Sequence, residues 1–281
     1  MTTEKLDKIG MIAGGGQFPL LFAQAVKKAG RQVVAIAHQG ESAPELAAVV
    51  DRLYWIRLGQ LGKIIKYFKK EGVREAVLLG RITKTNIFRD IRPDLKGLTL
   101  WNKISSKQDD AILRAVVEEL EKEDIRVVAS TLYLQHLLFP KGVLSRRQPS
   151  ASQVGDIEFG SRVARAVGNL DIGQCVVVRN KTVLAVEAIE GTDATISRGG
   201  LLGKEKTVVV KMKKPCQDFR FDLPAIGLTT IKNMVAGKAA VLAVEAGQAL
   251  LFDQEAVIRA ADEHGLVVVG IEVSEAGALS Y

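Results

Sequence analysis

Apolar residues in the first half of the chain form short continuous runs that alternate with segments of helical periodicity. The runs are typical of buried strands, whereas the segments carry apolar residues three or four positions apart, as one face of a helix does. Predicted strands cover 8–13, 32–37, 53–58, 75–80 and 125–130; predicted helices cover 18–30 and 61–72, and a third begins at Asp109 and Asp110. This alternation predicts a parallel sheet with helices on both faces.

The pattern changes after residue 134. The stretch FPKGVLSRRQPSASQ (139–153) has two prolines, one glycine, three serines and no periodicity, so we interpret 135–153 as a linker. Beyond it we predict helices near 154–167, 229–236 and 254–264, a hairpin that turns at Asn180–Lys181, and strands at 206–213, 239–245 and 266–272. The predicted fold class is α/β: an N-terminal Rossmann-like parallel-sheet domain (1–134) and a C-terminal mixed α/β catalytic domain (154–281).

The hexapeptide VLAVEA occurs twice, at 183–188 and 241–246, and each copy places a glutamate near the end of an apolar strand. A glycine-containing loop follows Glu187 and another follows Glu245. The flanking segments differ, so the copies are not a structural repeat. We expect such strand-end carboxylates to gather around one cleft, with the glycine loop near residue 14 facing them from the other domain.

The stretch after the first copy is rich in carboxylates. Glu187, Glu190 and Asp193 lie within seven residues, and Gly191 and Thr192 form a loop that can start a helix. Oxygen ligands of this kind suit Mg²⁺, which takes few protein ligands and keeps waters and substrate phosphates. The alternative is structural: Glu187 pairs with a buried basic residue and Asp193 caps a helix.

A second chemistry-bearing stretch reads CQDFRFDLPAIG (216–227). Pro224 favours an extended conformation before it, and an extended chain would align Asp218, Arg220 and Asp222 on one face, with Phe219, Phe221 and Leu223 on the other. Arg220 would then hold a phosphate oxygen while an aspartate positions metal or water. The alternative is a ladder of surface ion pairs.

Three consecutive glycines, Gly14, Gly15 and Gly16, separate the first predicted strand from the first helix. Backbone N–H groups at such a position can bind an anion. The loop is not a complete dinucleotide fingerprint, because Pro19 occupies the third glycine position. The alternative is a tight strand-to-helix turn.

Composition narrows the function classes. The 281 residues carry a net charge of +7, but the basic residues are dispersed and aromatic residues are only 5%, which disfavours nucleic acid. Cys175 and Cys216 have no zinc or disulfide pattern, which favours a reducing cytoplasm. No apolar run is long enough to span a bilayer, and the N-terminal residues lack a signal-peptide pattern. His38, His136 and His264 are far apart in sequence and are interpreted as packing or surface residues.

Five motifs, in this order along nearly the whole chain, resemble those of the LpxI family: GMIAGGGQFP, LDIGQ, VLAVEAIEGTDA, FRFDLPAIG and EAGQ. The resemblance implies two domains that hold UDP-2,3-diacylglucosamine between them. It also implies Mg²⁺-dependent hydrolysis of the pyrophosphate to UMP and 2,3-diacylglucosamine 1-phosphate (lipid X) in lipid A biosynthesis, with Mn²⁺ as an alternative ion. Asp222, in the DLP motif, is implied to be essential for catalysis.

Residue chemistry and resemblance together give three candidate sets. The catalytic set is Asp222, Asp193 and Arg220; the substrate-binding set is Gly14, Gly15, Gly16, Gln174, Gly191 and Thr192; the metal-binding set is Asp222, Glu190 and Glu187.

The expected partners are UDP-2,3-diacylglucosamine, lipid X and the cytoplasmic face of the inner membrane, but no nucleic acid. We expect a cytoplasmic protein associated peripherally with that membrane. A non-catalytic sensor of nucleotide sugars or phosphate is the first alternative, and an RNA-binding protein, supported by charge alone, is the second. The oligomeric state is left open.

Overall fold

The computed structural model describes residues 7–82, 92–103, 109–215, 217–274 and 277–281, without the side chains of 103, 109 and 110. Cys216 lies outside these ranges. The chain divides into two compact units. The first unit comprises Met1–Gln135 together with Asp218–Asp222, and the second comprises His136–Gln217 and Leu223–Tyr281. A five-residue segment from the second half of the sequence therefore belongs to the first unit.

The first unit is built on a five-stranded sheet in the order β3-β2-β1-β4-β5, and all of its strand pairs are parallel. The strands are β1 (Lys8–Ala13), β2 (Gln32–His38), β3 (Arg52–Ile56), β4 (Glu75–Leu79) and β5 (Arg126–Val127). The central strand β1 is buried at every position from Ile9 onwards. The predicted parallel sheet is thus confirmed.

Five helices accompany this sheet in the described residues: α1 (Phe18–Lys28), α2 (Leu46–Val49), α3 (Leu61–Glu71), α4 (Leu95–Lys103) and α5 (Asp109–Glu121). Helix α3 buries Leu61, Ile64, Ile65 and Phe68, which share one helical face. It ends at Gly72, whose φ of 72° is left-handed, a conformation that costs glycine little. Gly10 on β1 lets Phe68 approach closely, since a Cβ there would lie 2.8 Å from the ring.

The second unit contains a mixed sheet in the order β14-β13-β11-β9-β7-β8, with β6 paired to β13. Its strands are β6 (Gly142–Val143), β7 (Cys175–Arg179), β8 (Thr182–Val186), β9 (Thr207–Lys211), β11 (Ala239–Glu245), β13 (Val267–Val273) and β14 (Leu279–Ser280). Strands β9, β11 and β13 are parallel to one another, whereas β7 is antiparallel to β8 and β9. Strands β10 (Ala225–Ile226) and β12 (Leu250–Leu251) form a separate parallel pair.

Helices of the second unit pack on both faces of the mixed sheet. They are α6 (Ala151–Asn169), α7 (Thr192–Gly203), α8 (Leu228–Ala236) and α9 (Gln254–Glu263). Gly160 of α6 meets Val210, where a Cβ would lie 2.7 Å away, and Gly199 of α7 meets Val177 on the opposite face at 2.5 Å. The sheet separates the apolar core into two layers, one on each face. The predicted mixed α/β half is confirmed.

Two local features differ from the simplest interpretation of the sequence. Residues 142–143 of the predicted linker pair with β13, and α6 begins at Ala151 after a capping box between Ser150 and Gln153. The assignment of 135–153 as an interdomain linker stays a prediction. The expectation of an extended chain at 216–227 is wrong for Asp218–Asp222, because the N–H groups of Phe221 and Asp222 both donate to the Asp218 carbonyl and close a turn.

Candidate functional site

A largely apolar cavity of about 410 Å³ lies within the first unit. It is found outside the carboxyl ends of β1 and β4, where the strand order changes direction, and ligands of open α/β sheets bind at such switch points. Its walls come from three helices, the ends of three strands and the 218–222 turn. They include Ile12, Leu61, Ile64, Leu78, Leu100, Trp101, Ile112, Leu113, Val116 and Phe221.

Two residues that the sequence singled out both line this cavity. Gly14 follows β1, and Asp222 comes from the segment that joins the first unit from the second half of the chain; both line the cavity wall. Phe221 lines it as well and packs against the apolar core of the first unit. The structure therefore brings together the predicted glycine loop and the predicted catalytic aspartate beside an apolar space.

The glycine loop is closely packed against its neighbours. The N–H of Gly14 donates to the carbonyl of Leu79 (2.7 Å), and the N–H of Gly15 donates to the carbonyl of Arg81 (2.8 Å). A Cβ on Gly14 would lie 2.6 Å from the Arg81 oxygen, and Gly16 has a φ of 91°. The turn thus requires glycine for its own geometry, and two of the amides considered for anion binding bind backbone carbonyls.

His38, at the end of β2, also lines the cavity, although the sequence pattern gave it only a packing or surface role. It is 6% exposed, and its Nδ1 lies 3.0 Å from the carbonyl oxygen of Ala13. Burial lowers the pKa of His38 from its ordinary value of 6.5, so the ring is neutral at pH 7. Since Nδ1 donates to a carbonyl, the lone pair is on Nε2. Its position at the carboxyl end of a parallel strand was the available sequence signal.

Arg220 is held by protein acceptors. Its Nε and Nη2 atoms donate to the carboxylate of Asp218 (2.8–3.2 Å), and its Nη1 donates to Glu121 Oε1 (2.9 Å). The Arg220 guanidinium lowers the pKa of Asp218. Asp218 and Arg220 therefore form a buttressed ion pair inside the turn, and the guanidinium nitrogens contact protein oxygens.

In the second unit, Glu187 lies immediately after β8 and is 7% exposed. Its Oε1 accepts a hydrogen bond from the hydroxyl of Thr192 (3.1 Å), whereas its Oε2 is buried without a hydrogen-bond partner in the described structure. Gly191, with a φ of 82°, sets the turn that places Thr192 at the start of α7. The strand end and the helix start are thereby joined through one carboxylate.

The other carboxylates of this stretch have separate environments. Glu190 pairs with Arg198 at 2.5 Å, and Asp193 is exposed in the first turn of α7. Strand β8 ends at Val186, so Glu187 and Glu190 both lie beyond the strand. Among the described residues, no three side chains of His, Cys, Asp or Glu lie close enough together to hold a metal ion.

Glu245, at the end of β11, accepts a hydrogen bond from the N–H of Lys213 (3.0 Å). Gln174 precedes β7, and its side-chain Oε1 is a second buried acceptor without a partner in the described structure. The thiol of Cys175 is fully buried, and burial raises its pKa to about 12, so it is not a nucleophile at neutral pH.

Solved structures with some likeness to this chain include a biotin carboxylase domain and a ribonucleotide synthetase. The biotin carboxylase domain of Hydrogenobacter thermophilus 2-oxoglutarate carboxylase gives a TM-score of 0.27 at 13% identity, covering 64% of this chain and 36% of that one. N5-carboxyaminoimidazole ribonucleotide synthetase from Thermotoga maritima gives 0.24 at 17% identity, covering 66% and 42%. The chain spans less than half of either protein, and scores this low carry no argument.

Sequence comparison gives a much higher identity than these structures do. A protein of Caulobacter vibrioides (strain ATCC 19089 / CIP 103742 / CB 15) named UDP-2,3-diacylglucosamine pyrophosphatase LpxI is 36% identical over 283 residues, covering 96% of this chain and 99% of that protein. The family model for the LpxI N-terminal domain matches residues 8–137, and that for the LpxI C-terminal domain matches residues 140–269. The chain therefore belongs to the LpxI family.

Proposed function

We propose that this protein hydrolyses the pyrophosphate bond of UDP-2,3-diacylglucosamine in lipid A biosynthesis. Water adds across the bond, and the products are UMP and 2,3-diacylglucosamine 1-phosphate (lipid X). Family membership over nearly the whole chain supports this reaction. The observation that carries it is the cavity of the first unit, where Gly14 and Asp222 lie on the wall of an apolar space.

The cavity suits one acyl chain of such a substrate. Most of its lining side chains are aliphatic or aromatic, and the polar groups Asp222, Arg81 and His38 belong to the same lining. Each methylene that leaves water for an apolar site contributes about 0.8 kcal/mol. An amphiphile with a phosphorylated head and a hydrocarbon tail matches this combination of surfaces.

Asp222 is proposed to act on the chemical step. The turn at 218–222 is closed by two backbone hydrogen bonds, and Phe221 anchors it in the apolar core. A carboxylate on so fixed a backbone can orient the attacking water and accept its proton, and positioned general bases contribute about 10²–10⁴-fold.

Mg²⁺, with Mn²⁺ as a substitute, is proposed as the cofactor. The buried and unpartnered Oε2 of Glu187 is an oxygen donor that fits a hard cation, whereas Glu190 is paired with Arg198. Glu187 is therefore the preferred ligand of this stretch, whereas Glu190 could bind only after leaving Arg198. Asp222 stays a candidate ligand from the sequence. The ion, when bound, would neutralise charge on the pyrophosphate oxygens.

The remaining expectations also stand as proposals. Gln174 offers a buried acceptor for a donor group of the substrate, and Gly191, Thr192 and Asp193 form the helix start that would contact its phosphates. Binding of the substrate between the two domains, and peripheral association with the cytoplasmic face of the inner membrane, rest on the family resemblance. Within the described ranges, none of the helices combines the length and apolar character that crossing a membrane requires.

The deciding experiment compares wild type, Asp222→Ala and a control, Glu118→Gln, which changes an exposed carboxylate of α5. Each is incubated with UDP-2,3-diacylglucosamine and Mg²⁺, and UMP and lipid X are quantified by mass spectrometry. We expect turnover by wild type and by the control, and kcat at least ~100-fold lower for Asp222→Ala with little change in KM. Binding without turnover by wild type would instead identify a sensor.

A further inference from the structure

Arg220 makes hydrogen bonds to other segments of the first unit as well as to Asp218 in its own turn. Its Nη1 reaches Glu121 on α5 at 2.9 Å and the carbonyl oxygen of Val127 at 3.5 Å. Its own carbonyl accepts a hydrogen bond from the N–H of Ser130 (2.7 Å). The side chain and backbone of one residue thus attach the turn to three places on the same unit.

Within its own turn, Arg220 forms an ion pair with Asp218. That carboxylate accepts from both Nε and Nη2 of Arg220 and also from the Arg220 backbone N–H (3.0 Å). Two-point contacts of this kind fix orientation as well as distance. The hydrogen bond from Arg220 lowers the pKa of Asp218, and the same bond raises the pKa of Arg220. Both groups are therefore charged at neutral pH.

The Asp218 carbonyl is the acceptor that closes the turn. It receives the N–H groups of Phe221 (3.2 Å) and Asp222 (3.0 Å), and the Arg220 guanidinium lies 5.8 Å from the centre of the Phe221 ring. The ion pair, the turn and the apolar anchor consequently share the same five residues, and the last of them lines the cavity.

We propose that Arg220 and Asp218 are positioning residues that act as one clamp, fixing the turn on the first unit so that Asp222 is held at the cavity. The proposal rests on the function proposed for Asp222. It differs from the role expected from the sequence, in which Arg220 itself holds a substrate phosphate.

The two roles predict different kinetics. A clamp that fails displaces the Asp222 carboxylate, and a displacement of about 1 Å can lower a rate about 10²-fold. Loss of a phosphate contact instead weakens binding and raises KM. Substitution of Asp218 separates the two roles further. If Arg220 binds a substrate phosphate, loss of Asp218 leaves Arg220 available for that contact; if the two residues form a clamp, loss of Asp218 disables it.

The test measures kcat and KM for UDP-2,3-diacylglucosamine in Arg220→Met, Asp218→Asn and the double variant, with Asp222→Ala as reference. We expect each single variant to lose about 10- to 100-fold in kcat with KM changed less than about threefold, and the double variant to lose no more than the worse single one. Arg220→Lys should recover only part of kcat, since an ammonium lacks the fork that binds Asp218 at two points.

Lys122→Met is the matched control, because it removes the exposed Lys122–Glu119 ion pair next to Glu121 on the same part of the chain. It should keep wild-type kcat. Thermal unfolding checks that each variant is folded; if Arg220→Met is not, Arg220→Lys and Glu121→Gln probe the same contacts.

Wild-type kcat in both Arg220→Met and Asp218→Asn, with Asp222→Ala inactive, would overturn the clamp and leave the proposed function intact. A raised KM in Arg220→Met, with Asp218→Asn unaffected, would assign Arg220 to substrate instead. Full activity of Asp222→Ala would refute the role of Asp222 and, with it, the purpose of the clamp.

Discussion

At the scale of single residues, each of the two strand-end glutamates accepts a hydrogen bond from another segment of the chain. Glu187 accepts a hydrogen bond from Thr192 at the start of α7, and Glu245 accepts one from the backbone of Lys213. A carboxylate at the end of an apolar strand can reach donors that a strand interior cannot offer. In Glu187 one oxygen is used in this way and the other is buried without a partner in the described structure.

Removal of the Thr192 hydroxyl should be costly. Thr192→Val leaves a buried carboxylate without its donor, and hydrogen bonds to charged groups contribute about 1.5–3 kcal/mol. We expect the free energy of unfolding to fall by about that amount, measured by urea denaturation. Thr182→Val, which removes an exposed hydroxyl 3.5 Å from the Asn180 carbonyl, is the control and should change stability by less than about 0.5 kcal/mol. Equal effects of the two substitutions would contradict this account of Glu187.

His38 should make stability depend on pH. Burial lowers its folded-state pKa below the ordinary 6.5, so the unfolded chain binds the proton first as pH falls. Its contribution to stability is therefore complete above about pH 6.5 and is lost as the pH falls from there towards the folded-state pKa, with a slope of at most about 1.4 kcal/mol per pH unit.

His38→Asn retains a donor for the Ala13 carbonyl. It should remove this pH dependence from the free energy of unfolding measured between pH 5 and 8. His264→Asn, at an exposed histidine of the second unit, should leave the wild-type slope in place. A His38→Asn curve parallel to wild type would show that this histidine does not titrate as proposed.

At the scale of elements, the cavity is produced by packing that leaves a space between the ends of β1 and β4 and the helices α3, α4 and α5. Side chains from each of these helices face it, among them Ile64, Leu100 and Val116. Glycines permit the close approaches around it: a Cβ on Gly97 would lie 1.9 Å from the Gly59 carbonyl oxygen. This contact lets α4 lie close to the loop that precedes α3.

Filling the cavity should change substrate preference. Val116→Phe reduces its volume, so kcat/KM should fall at least about tenfold for long-chain UDP-2,3-diacylglucosamine and much less for a short-chain analogue, since each excluded methylene forfeits about 0.8 kcal/mol. The measurement is kcat/KM over a series of acyl lengths. Leu98→Phe, on the exposed face of α4, should leave the series unchanged. An equal loss at every chain length would show that no acyl chain occupies the cavity.

At the scale of the whole molecule, two independently packed units carry the candidate residues: Gly14, Arg220 and Asp222 in the first, and Gln174, Glu187, Gly191, Thr192 and Asp193 in the second. The LpxI family models match residues in both units. Metal dependence is a property of the proposed activity that can be tested on the intact chain.

We expect EDTA to abolish pyrophosphate hydrolysis and Mg²⁺ or Mn²⁺ to restore it. Binding of Mn²⁺ to the full chain can be followed by electron paramagnetic resonance without substrate turnover. Glu187→Gln should weaken it about tenfold or more if Glu187 is a ligand, because an amide oxygen carries no charge, whereas Glu205→Gln, which alters an exposed carboxylate, should not. Full activity in excess EDTA would remove the metal from the proposal.

The sequence by itself determined the fold class and most of the longer elements, although the helix Leu95–Lys103 and the short strands β6, β10, β12 and β14 were not predicted. Strand β1 at 8–13 and strand β11 at 239–245 were predicted to the residue, and the Asn180–Lys181 turn has positive φ at both positions, as a two-residue hairpin requires. Periodicity and turn chemistry act between near neighbours, so they can be read from the chain directly. The family motifs likewise marked Asp222 and the glycine loop as candidate site residues.

Only the tertiary structure decided what these residues contact. It placed the 218–222 turn in the first unit and put Asp222, Gly14 and the buried His38 in the lining of one cavity. It also paired Arg220 with Asp218 and Glu121. Each of these outcomes depends on which distant segments approach one another. The packing of Phe221 against the core of the first unit and the Arg220–Glu121 ion pair both join residues far apart in sequence, and no local pattern records either contact.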